Sequence, residues 1–263
     1  IVDERNKEIL KGIMEGAANA NAEKGTNTQL LGDYYTSILD METRNNLALQ
    51  PIQKELDRVY GMESKDEIAS LSLMFSAIGI QSLFGPEIDQ DRDDNTKYMF
   101  RLWQDGLGLP DRDYYFDEEL MDVRTAYEEH IRTMFEIAGI EGPEVAATEV
   151  MDIETYLAGF SMNSTDSHDD TKIYNKFTLE ELIAHSPSFD WNGWFMDAGL
   201  GDIDTIVLAN PNFFAKLSQV IDNNSMDKWK SYFAWRLLSS TASMLSEEFE
   251  QENFNFYMGV LNG

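Results

Sequence analysis

The chain has 263 residues, of which 48 are acidic and 20 are basic, so its formal net charge is −28. A surface this negative repels phosphate backbones and anionic lipid headgroups, which disfavours nucleic acid as a partner. The chain contains no cysteine, which excludes disulfides and thiolate metal sites and fits a cytoplasmic and an extracytoplasmic location equally well. A solvated surface is the simpler explanation of the acidity and adaptation to salt is the alternative. No apolar run reaches the roughly 20 residues of a membrane span.

Helical patterns fill the first 78 residues. Apolar side chains at three- and four-residue spacing predict a helix over residues 3–24 and a second helix with a capping box at Thr26. Pro51 suits the first turn of a short helix that ends at Gly61, and residues 65–78 read as a buried helix. The apolar faces of the first two helices consist of Ile9, Leu10, Ile13 and Met14, and of Leu30, Leu31, Tyr34, Ile38, Leu39 and Met41.

The pattern changes to that of a small β-hairpin near residues 80–104. Residues 80–88 carry Ile, Leu and Phe around a Gly-Pro break, and residues 97–104 alternate more than they repeat. Between them, residues 89–95 form a charged turn rich in aspartate.

Long helices are predicted to dominate the remainder. Apolar stripes indicate helices over residues 120–139 and 143–160, the latter marked by Val145, Ala146, Val150, Ile153, Leu157 and Phe160. A polar loop over residues 161–172 follows, and Thr178 and Glu181 have the spacing of a capping box that opens a short helix. Further predictions are a short helix around Phe189, Trp191, Trp194 and Phe195, a strand over 205–208, and helices over 213–221, 226–245 and 247–261. The expected fold class is mainly α, a multi-helix lobe with one small hairpin.

Residues 106–116, Gly-Leu-Gly-Leu-Pro-Asp-Arg-Asp-Tyr-Tyr-Phe, join the hairpin to the long helices. Gly106 and Gly108 permit backbone angles that other residues resist. Asp111 and Asp113 can accept hydrogen bonds from nearby backbone N–H groups and start the next helix. Three rings follow that can pin the turn against an apolar surface: Tyr114, Tyr115 and Phe116.

This stretch resembles a signature of the neprilysin and endothelin-converting-enzyme family of zinc metallopeptidases. Three later segments resemble family segments in the same order, so that four matches extend over about 150 residues. The first is residues 174–182 (Tyr-Asn-Lys-Phe-Thr-Leu-Glu-Glu-Leu) and the second is residues 189–191 (Phe-Asp-Trp). The third is Trp229 to Arg236 with Leu237 and Leu238, together with the aromatic segment that follows it: Phe249, Asn253, Phe254, Phe256 and Tyr257. Four ordered matches are much more specific than one, whereas the first 75 residues are similar only in pattern.

The resemblance implies a particular place in a larger enzyme. Family members have a thermolysin-like catalytic lobe that carries zinc and a mostly helical lobe that caps it, enclosing a chamber that admits peptides and excludes large proteins. By resemblance, residues 1–263 are the helical cap lobe, and the catalytic lobe would begin near Gly263. Zinc is then a cofactor of the parent enzyme bound outside this segment. The expected partners are the catalytic lobe, in the same protein or as a second chain, and peptide substrates.

The histidines fit this placement. A site of this zinc-peptidase type needs two His at i and i+4 on one helix, a Glu between them as general base, and a third ligand. The chain has His130, His168 and His185, and no two of them are four residues apart. His130 is expected on a helix surface or half-buried, His168 in a solvated acidic loop, and His185 near the C-terminal carbonyls of a short helix. No catalytic, cofactor-binding or metal-binding residue is predicted in this chain.

Other sites have weaker support in the sequence. Four aspartates suggest calcium, but the run lacks the Gly and the terminal Glu of an EF-hand loop: Asp89, Asp91, Asp93 and Asp94. Animal-type family members place arginines that bind the substrate carboxylate near the start of this region. Arg5 is the only arginine nearby and is not in the same register, so that role is not transferred to it.

Two functions stay open at this level. The favoured one is a substrate-enclosing lobe of a zinc metalloendopeptidase that hydrolyses short peptides, with this segment inactive when alone. The alternative is a free-standing, non-catalytic helical module that binds peptides or a protein partner. A downstream H-E-x-x-H motif would support the first and a stop codon the second. In both, residues 106–116 are expected to hold the hairpin against the helical body rather than to form a site.

Overall fold

The computed structural model describes residues 2–262, with side chains from residue 4 onward. It opens with a helical hairpin of α1 (Val2–Ala18) and α2 (Asn27–Leu39). The two helices approach closely at Gly32, where a Cβ atom would lie 2.6 Å from the carbonyl oxygen of Ala17. Three helices follow: α3 (Met41–Leu47), α4 (Gln53–Tyr60) and α5 (Ile68–Ala77).

The predicted β-hairpin is present and is part of a four-stranded sheet. Strands β1 (Phe84–Gln90) and β2 (Tyr98–Gln104) pair antiparallel. Strands β3 (Asn175–Thr178) and β4 (Thr205–Leu208) extend the sheet in the order β1-β2-β4-β3. The pairing of β2 with β4 is parallel, and that of β4 with β3 is antiparallel.

The other helices pack mainly against one another and contribute most of the core. They are α6 (Asp113–Phe116), α7 (Met121–Ile137), α8 (Pro143–Phe160), α9 (Ser164–Ser167), α10 (Leu179–His185), α11 (Trp191–Asp197), α12 (Pro211–Asn223), α13 (Met226–Thr241) and α14 (Glu247–Phe254), which continues as a π-helical turn over Asn255–Val260. Helix α8 packs against α7, α12 and α13. An aromatic cluster lies under the hairpin, where the ring of Phe84 is 5.1 Å from that of Trp191 and 5.5 Å from that of Phe189.

The mainly α fold class is confirmed, with differences at element ends. Helix α1 ends at Ala18 rather than at residue 24, because Asn21 and Gly25 adopt positive φ angles of 44° and 89° that a right-handed helix does not accept. Strand β3 is an addition, and the predicted loop over 161–172 contains the short α9. No helix among residues 2–262 combines the length and apolar character of a membrane span.

Several side chains assigned to apolar faces are exposed instead of buried. Val145 is 64% exposed, because α8 turns its other face to the core. On α1 and α2, six residues of the predicted apolar faces are each 50–60% exposed: Ile9, Leu10, Ile13, Leu30, Tyr34 and Leu39. The described part of the chain therefore leaves the faces of this helical hairpin largely uncovered.

Candidate functional site: the 106–116 stretch and its buried anchor

The 106–116 stretch is a compact turn whose shape depends on its glycines. Gly106 has a φ of 96°, and a Cβ atom there would lie 2.5 Å from both the Ser82 carbonyl oxygen and the Tyr232 hydroxyl. The Asp111 carboxylate accepts a 2.8 Å hydrogen bond from the Asp113 amide, which starts α6 as the sequence predicts.

Tyr115 connects this turn to a carboxylate inside the helical core. Its hydroxyl accepts hydrogen bonds from the amides of Gly108 (3.2 Å) and Leu109 (3.1 Å) and donates one of 2.6 Å to Glu154 Oε2. Glu154 lies on α8 and is fully buried. The turn is thus tied through one ring to the centre of the molecule.

A second tyrosine completes the anchor from α7. The Tyr127 hydroxyl donates to Glu154 Oε1 at 3.1 Å and accepts a 2.8 Å hydrogen bond from Trp235 Nε1. Both carboxylate oxygens of Glu154 therefore have a donor, as a buried carboxyl group requires.

Helix α13 holds the turn from the other side. The Tyr232 hydroxyl lies 2.8 Å from the Gly106 carbonyl oxygen and also contacts that of Ser82. The Arg236 guanidinium donates to the carbonyl oxygens of Leu107 (2.9 Å) and Gln81 (2.7 Å). Two segments that the sequence associates with one family, 106–116 and Trp229 to Arg236, are therefore in direct contact.

Burial governs the electrostatics of this anchor. Desolvation raises the pKa of Glu154 above its usual value, while the positive charge of Arg236 and the hydrogen bond from Tyr115 oppose that shift. Desolvation, followed by the Glu154 charge, likewise raises the pKa of Tyr115 and of Tyr127 well above 10, so both stay protonated donors at neutral pH.

Clefts open on the solvent side of the same turn. One, of about 460 Å³, is lined by residues of the turn such as Leu107 and Arg112. A second, of about 630 Å³, shares Gln104, Asp105 and His168 with the first. Both clefts are lined by a mixture of polar and apolar side chains.

His130 differs from its expected placement because it is buried. Only 2% of it is exposed, and its ring stacks on Phe256 at 4.8 Å between centroids. Its Nδ1 lies 2.8 Å from Glu252 Oε1. The π-helical turn after α14 covers this face of α7, which a pattern of apolar spacings does not reveal.

The other two histidines are exposed. His168 lies at the end of α9, where its Nδ1 donates to the Ser164 carbonyl oxygen at 2.6 Å. His185 lies in the last turn of α10 and donates to the Glu181 carbonyl oxygen at 2.9 Å, as its position after a capping box suggests. The three histidines are on different elements, and among residues 2–262 no group of three or more His, Cys, Asp or Glu side chains is arranged to hold a metal ion.

The aspartate-rich turn of the hairpin is occupied by protein partners. Asp91 accepts hydrogen bonds from the Tyr174 hydroxyl and from Lys176 Nζ (3.3 Å). Hydrogen bonds from the Tyr174 hydroxyl, which has the largest effect, from the Asp93 amide and from Lys176 lower the pKa of Asp91 to about 2. The remaining carboxylates pair with cations: Asp89 with Arg101 (2.8 Å), Asp93 with Lys176 (2.7 Å) and Asp94 with Lys97 (3.1 Å). Each of the four aspartates is therefore engaged by a cationic side chain of the protein.

Glu154, on which the hydrogen bonds of the anchor converge, was not predicted as a site residue. Its signal is an acidic side chain inside an apolar stripe, four residues after Val150 and three before Leu157. Arg5, which was not assigned a role, is exposed on α1.

The fold and this anchor define a helical lobe in which two of the family-like segments, residues 106–116 and Trp229 to Arg236, are in direct contact. The chain belongs to peptidase family M13, because the N-terminal model of that family matches residues 1–263. The resemblance to the neprilysin and endothelin-converting-enzyme family is thereby confirmed, and the chain corresponds to the N-terminal, helical part of these zinc metallopeptidases.

The relatives are longer than this chain. Bovine endothelin-converting enzyme 1 is 24% identical over 274 residues, which cover 99% of this chain and 36% of the bovine protein. Human endothelin-converting enzyme-like 1 is 24% identical over 270 residues, 95% of this chain and 34% of the human protein. The chain therefore spans about a third of the length of these relatives.

A solved structure has nearly the same fold over this region. Zinc metalloprotease Zmp1 of Mycobacterium tuberculosis, in its open state, superposes with a TM-score of 0.92 at 28% identity. The match covers 99% of this chain and 41% of that one. Zmp1 in complex with an inhibitor gives a TM-score of 0.91, also at 28% identity, over 98% of this chain and 40% of that one.

Proposed function

We propose that residues 1–263 form one helical lobe that encloses the substrate of a zinc metalloendopeptidase acting on short peptides. The observation that carries the proposal is that an M13 model spans the whole chain, while the chain has no H-E-x-x-H motif. The zinc and the general base would then lie in the remainder of the parent protein. This lobe would contribute substrate selection and no chemical group.

The anchor around Glu154 gives the lobe the rigidity that this role needs. The 106–116 turn is fixed through Tyr115 to α8 and through Arg236 to α13, so its solvent face is a pre-formed surface. A pre-formed wall excludes folded proteins without a conformational adjustment, whereas an extended peptide can pass along it. Size selection then follows from shape rather than from a specific side chain.

The test compares how the full-length parent enzyme cleaves the same amino-acid sequence in two substrates. The sequence is offered as a free short peptide and as an ordered loop of a folded protein. We expect chelator-sensitive cleavage of the peptide and none of the folded protein. A permanently unfolded variant of that protein is the control for the effect of the amino-acid sequence around the cleavage site. Equal kcat/KM for the free and the folded forms would contradict an enclosing lobe, and absence of cleavage of any peptide would contradict the peptidase itself.

A further inference from the structure

The two clefts beside the 106–116 turn meet at Asp105, the residue that follows β2. Asp105 lines both the cleft of about 460 Å³ and the cleft of about 630 Å³. The residue is half-buried, so part of its side chain is accessible from solvent. A ligand in either cleft would therefore lie near this carboxylate.

The larger cleft is lined by the β-hairpin and by the segment between α9 and β3. Gly85 and Trp103 face each other across the hairpin and line one part of the cleft, and Asp170 and Ile173 line another. A Cβ atom at Gly85 would lie 3.5 Å from Asp105 Oδ2. The Asp105 carboxylate thus lies against the hairpin, next to the space that this glycine leaves open.

Two of the three carboxylates that line the larger cleft are held by cations of the protein. Glu87 pairs with Arg101 at 3.1 Å, and Asp170 pairs with Arg92 at 2.9 Å. The charges of these two carboxylates are therefore compensated within the lobe.

Asp105 is the third carboxylate, and it keeps one oxygen unused. Its Oδ1 accepts a 2.6 Å hydrogen bond from the Gly106 amide, whereas within residues 2–262 no hydrogen bond or ion pair engages Oδ2. The guanidinium of Arg236 interacts electrostatically with Asp105 but donates its hydrogen bonds to the carbonyl oxygens of Gln81 and Leu107. Oδ2 can therefore accept a hydrogen bond from a ligand.

The other groups that line the larger cleft favour a cationic ligand. Carboxylates and aromatic rings are the groups that bind guanidinium and ammonium ions in proteins. Trp103 already makes one such contact, since the Arg101 guanidinium carbon lies 5.4 Å from the centroid of its ring. His168 donates through Nδ1 to a carbonyl oxygen, so in its neutral form Nε2 is an acceptor. Arg112 lines the smaller cleft, whereas among the described residues no Lys or Arg lines the larger one.

We propose that Asp105 is a specificity-determining residue that binds a basic side chain, arginine or lysine, of the peptide substrate in the larger cleft. The proposal rests on the proposed function, because it takes the ligand to be a peptide that reaches this lobe. A single carboxylate acts on one position of the peptide, whereas the net charge of −28 acts on the peptide as a whole. This difference allows the two effects to be separated.

The test measures peptide binding to the full-length parent after a chelator has removed its zinc, so that peptides bind without being cleaved. The probes are fluorescently labelled nonapeptides of one alanine- and glutamine-rich sequence, with a single arginine at each position in turn. In the matched set, citrulline replaces the arginine, which removes the charge and nearly retains the shape. Fluorescence anisotropy gives the Kd of each peptide.

We expect arginine at one position, or at two adjacent ones, to bind about fivefold more tightly than citrulline, which corresponds to roughly 1 kcal/mol. Asp105→Asn keeps an oxygen that can accept from the Gly106 amide, and it should reduce this ratio to less than about twofold. Asp105→Glu retains the charge and should retain a preference. Asp202→Asn is the matched control, because Asp202 is exposed and lines neither cleft, and it should leave the ratio unchanged. Chemical denaturation checks that the variants are folded.

A wild-type parent with no preference for arginine at any position would overturn the proposal. A preference that survives Asp105→Asn would also overturn it, as would one that both asparagine variants weaken equally, because equal effects would assign it to the overall charge. Binding does not require cleavage. A parent that shows the Asp105-dependent preference but cleaves no peptide after zinc is restored would therefore contradict the proposed function and not this assignment.

Discussion

At the scale of single residues, the 106–116 turn approaches the buried Glu154 carboxylate too closely for a side chain at Gly108. A Cβ atom at Gly108 would lie 1.7 Å from the Tyr127 hydroxyl and 3.2 Å from Glu154 Oε1. Neither group can move without breaking the hydrogen bonds that satisfy it. The position therefore requires glycine for space, and any side chain there displaces the anchor.

Gly108→Val is expected to destabilise the parent protein by about 3 kcal/mol, through overpacking and loss of the Glu154 hydrogen bonds. Gly12→Val is the matched control, because a Cβ atom at Gly12 would meet nothing within 4 Å beyond the backbone of its own helix and its chain neighbours. Chemical denaturation measures both variants. The KM values for a panel of short peptides should stay in the same order, and a change of substrate preference at unchanged stability would reassign the turn as a binding site.

Glu154→Gln tests the electrostatics of the anchor. A carboxyl group whose pKa is higher in the folded than in the unfolded protein adds stability in acid, and this contribution is lost as pH rises through the folded pKa. Since the folded pKa of Glu154 is raised from its usual 4.5, the stability of the wild type relative to Glu154→Gln should be greatest below pH 4.5 and should decline above it. Unfolding free energies measured from about pH 4 to pH 8 check this, and a difference independent of pH would contradict it.

The turn itself was predictable from sequence, and its anchor was not. Gly106, Gly108 and Asp111 carry local information, because backbone angles and short-range hydrogen bonds depend on neighbours in the chain. The carboxylate that accepts the hydrogen bond of Tyr115 lies 39 residues away on α8, and the hydroxyl that donates to the Gly106 carbonyl lies 126 residues away on α13. Contacts at such separations depend on how the helices pack. Apolar spacing shows which face of a helix is buried, but not which other element covers that face.

At the scale of elements, Arg44 connects α3 to the segment between α13 and α14. Replacing it with Lys retains the charge, but the single ammonium group cannot reach the carbonyl oxygens that the planar guanidinium binds together. We expect Arg44→Lys to cost about 2–3 kcal/mol, because carbonyl groups in a buried position lose their donors.

The matched control is Arg132→Lys. Arg132 forms ion pairs with acidic neighbours on its own helix, Glu129 at 2.5 Å and Glu136 at 2.8 Å, and exposed pairs of this kind contribute little. A change within about 0.5 kcal/mol is expected for it by the same denaturation measurement. Equal effects of the two substitutions would show that Arg44 is not a structural connection.

Elements of the fold were predictable in proportion to their length and regularity. Helices α7, α8 and α13 have stripes of several turns, and the β1–β2 hairpin has a local turn. Strand β3 has four residues, every second one exposed, and its partner β4 lies about 30 residues further on. The parallel pairing of β2 with β4 has no local signal, so a hairpin was predicted where a four-stranded sheet forms.

At the scale of the whole molecule, the net charge of −28 has a consequence for substrates. Negative walls around a chamber concentrate positive ligands and repel negative ones. The parent should therefore cleave a cationic peptide with higher kcat/KM than an anionic version with the same cleavage site. The preference should weaken between about 10 mM and 150 mM salt, as the Debye length falls from about 30 Å to about 8 Å. Equal rates at low salt would contradict an electrostatic contribution of the lobe.

The proposed role of this lobe is to select substrates without supplying a catalytic group. The most direct test compares peptide cleavage, with and without a zinc chelator, by purified residues 1–263 and by the full-length parent, after circular dichroism has established that the segment is helical. The account predicts chelator-sensitive cleavage by the parent and none by the segment. Chelator-sensitive cleavage by residues 1–263 alone would contradict it.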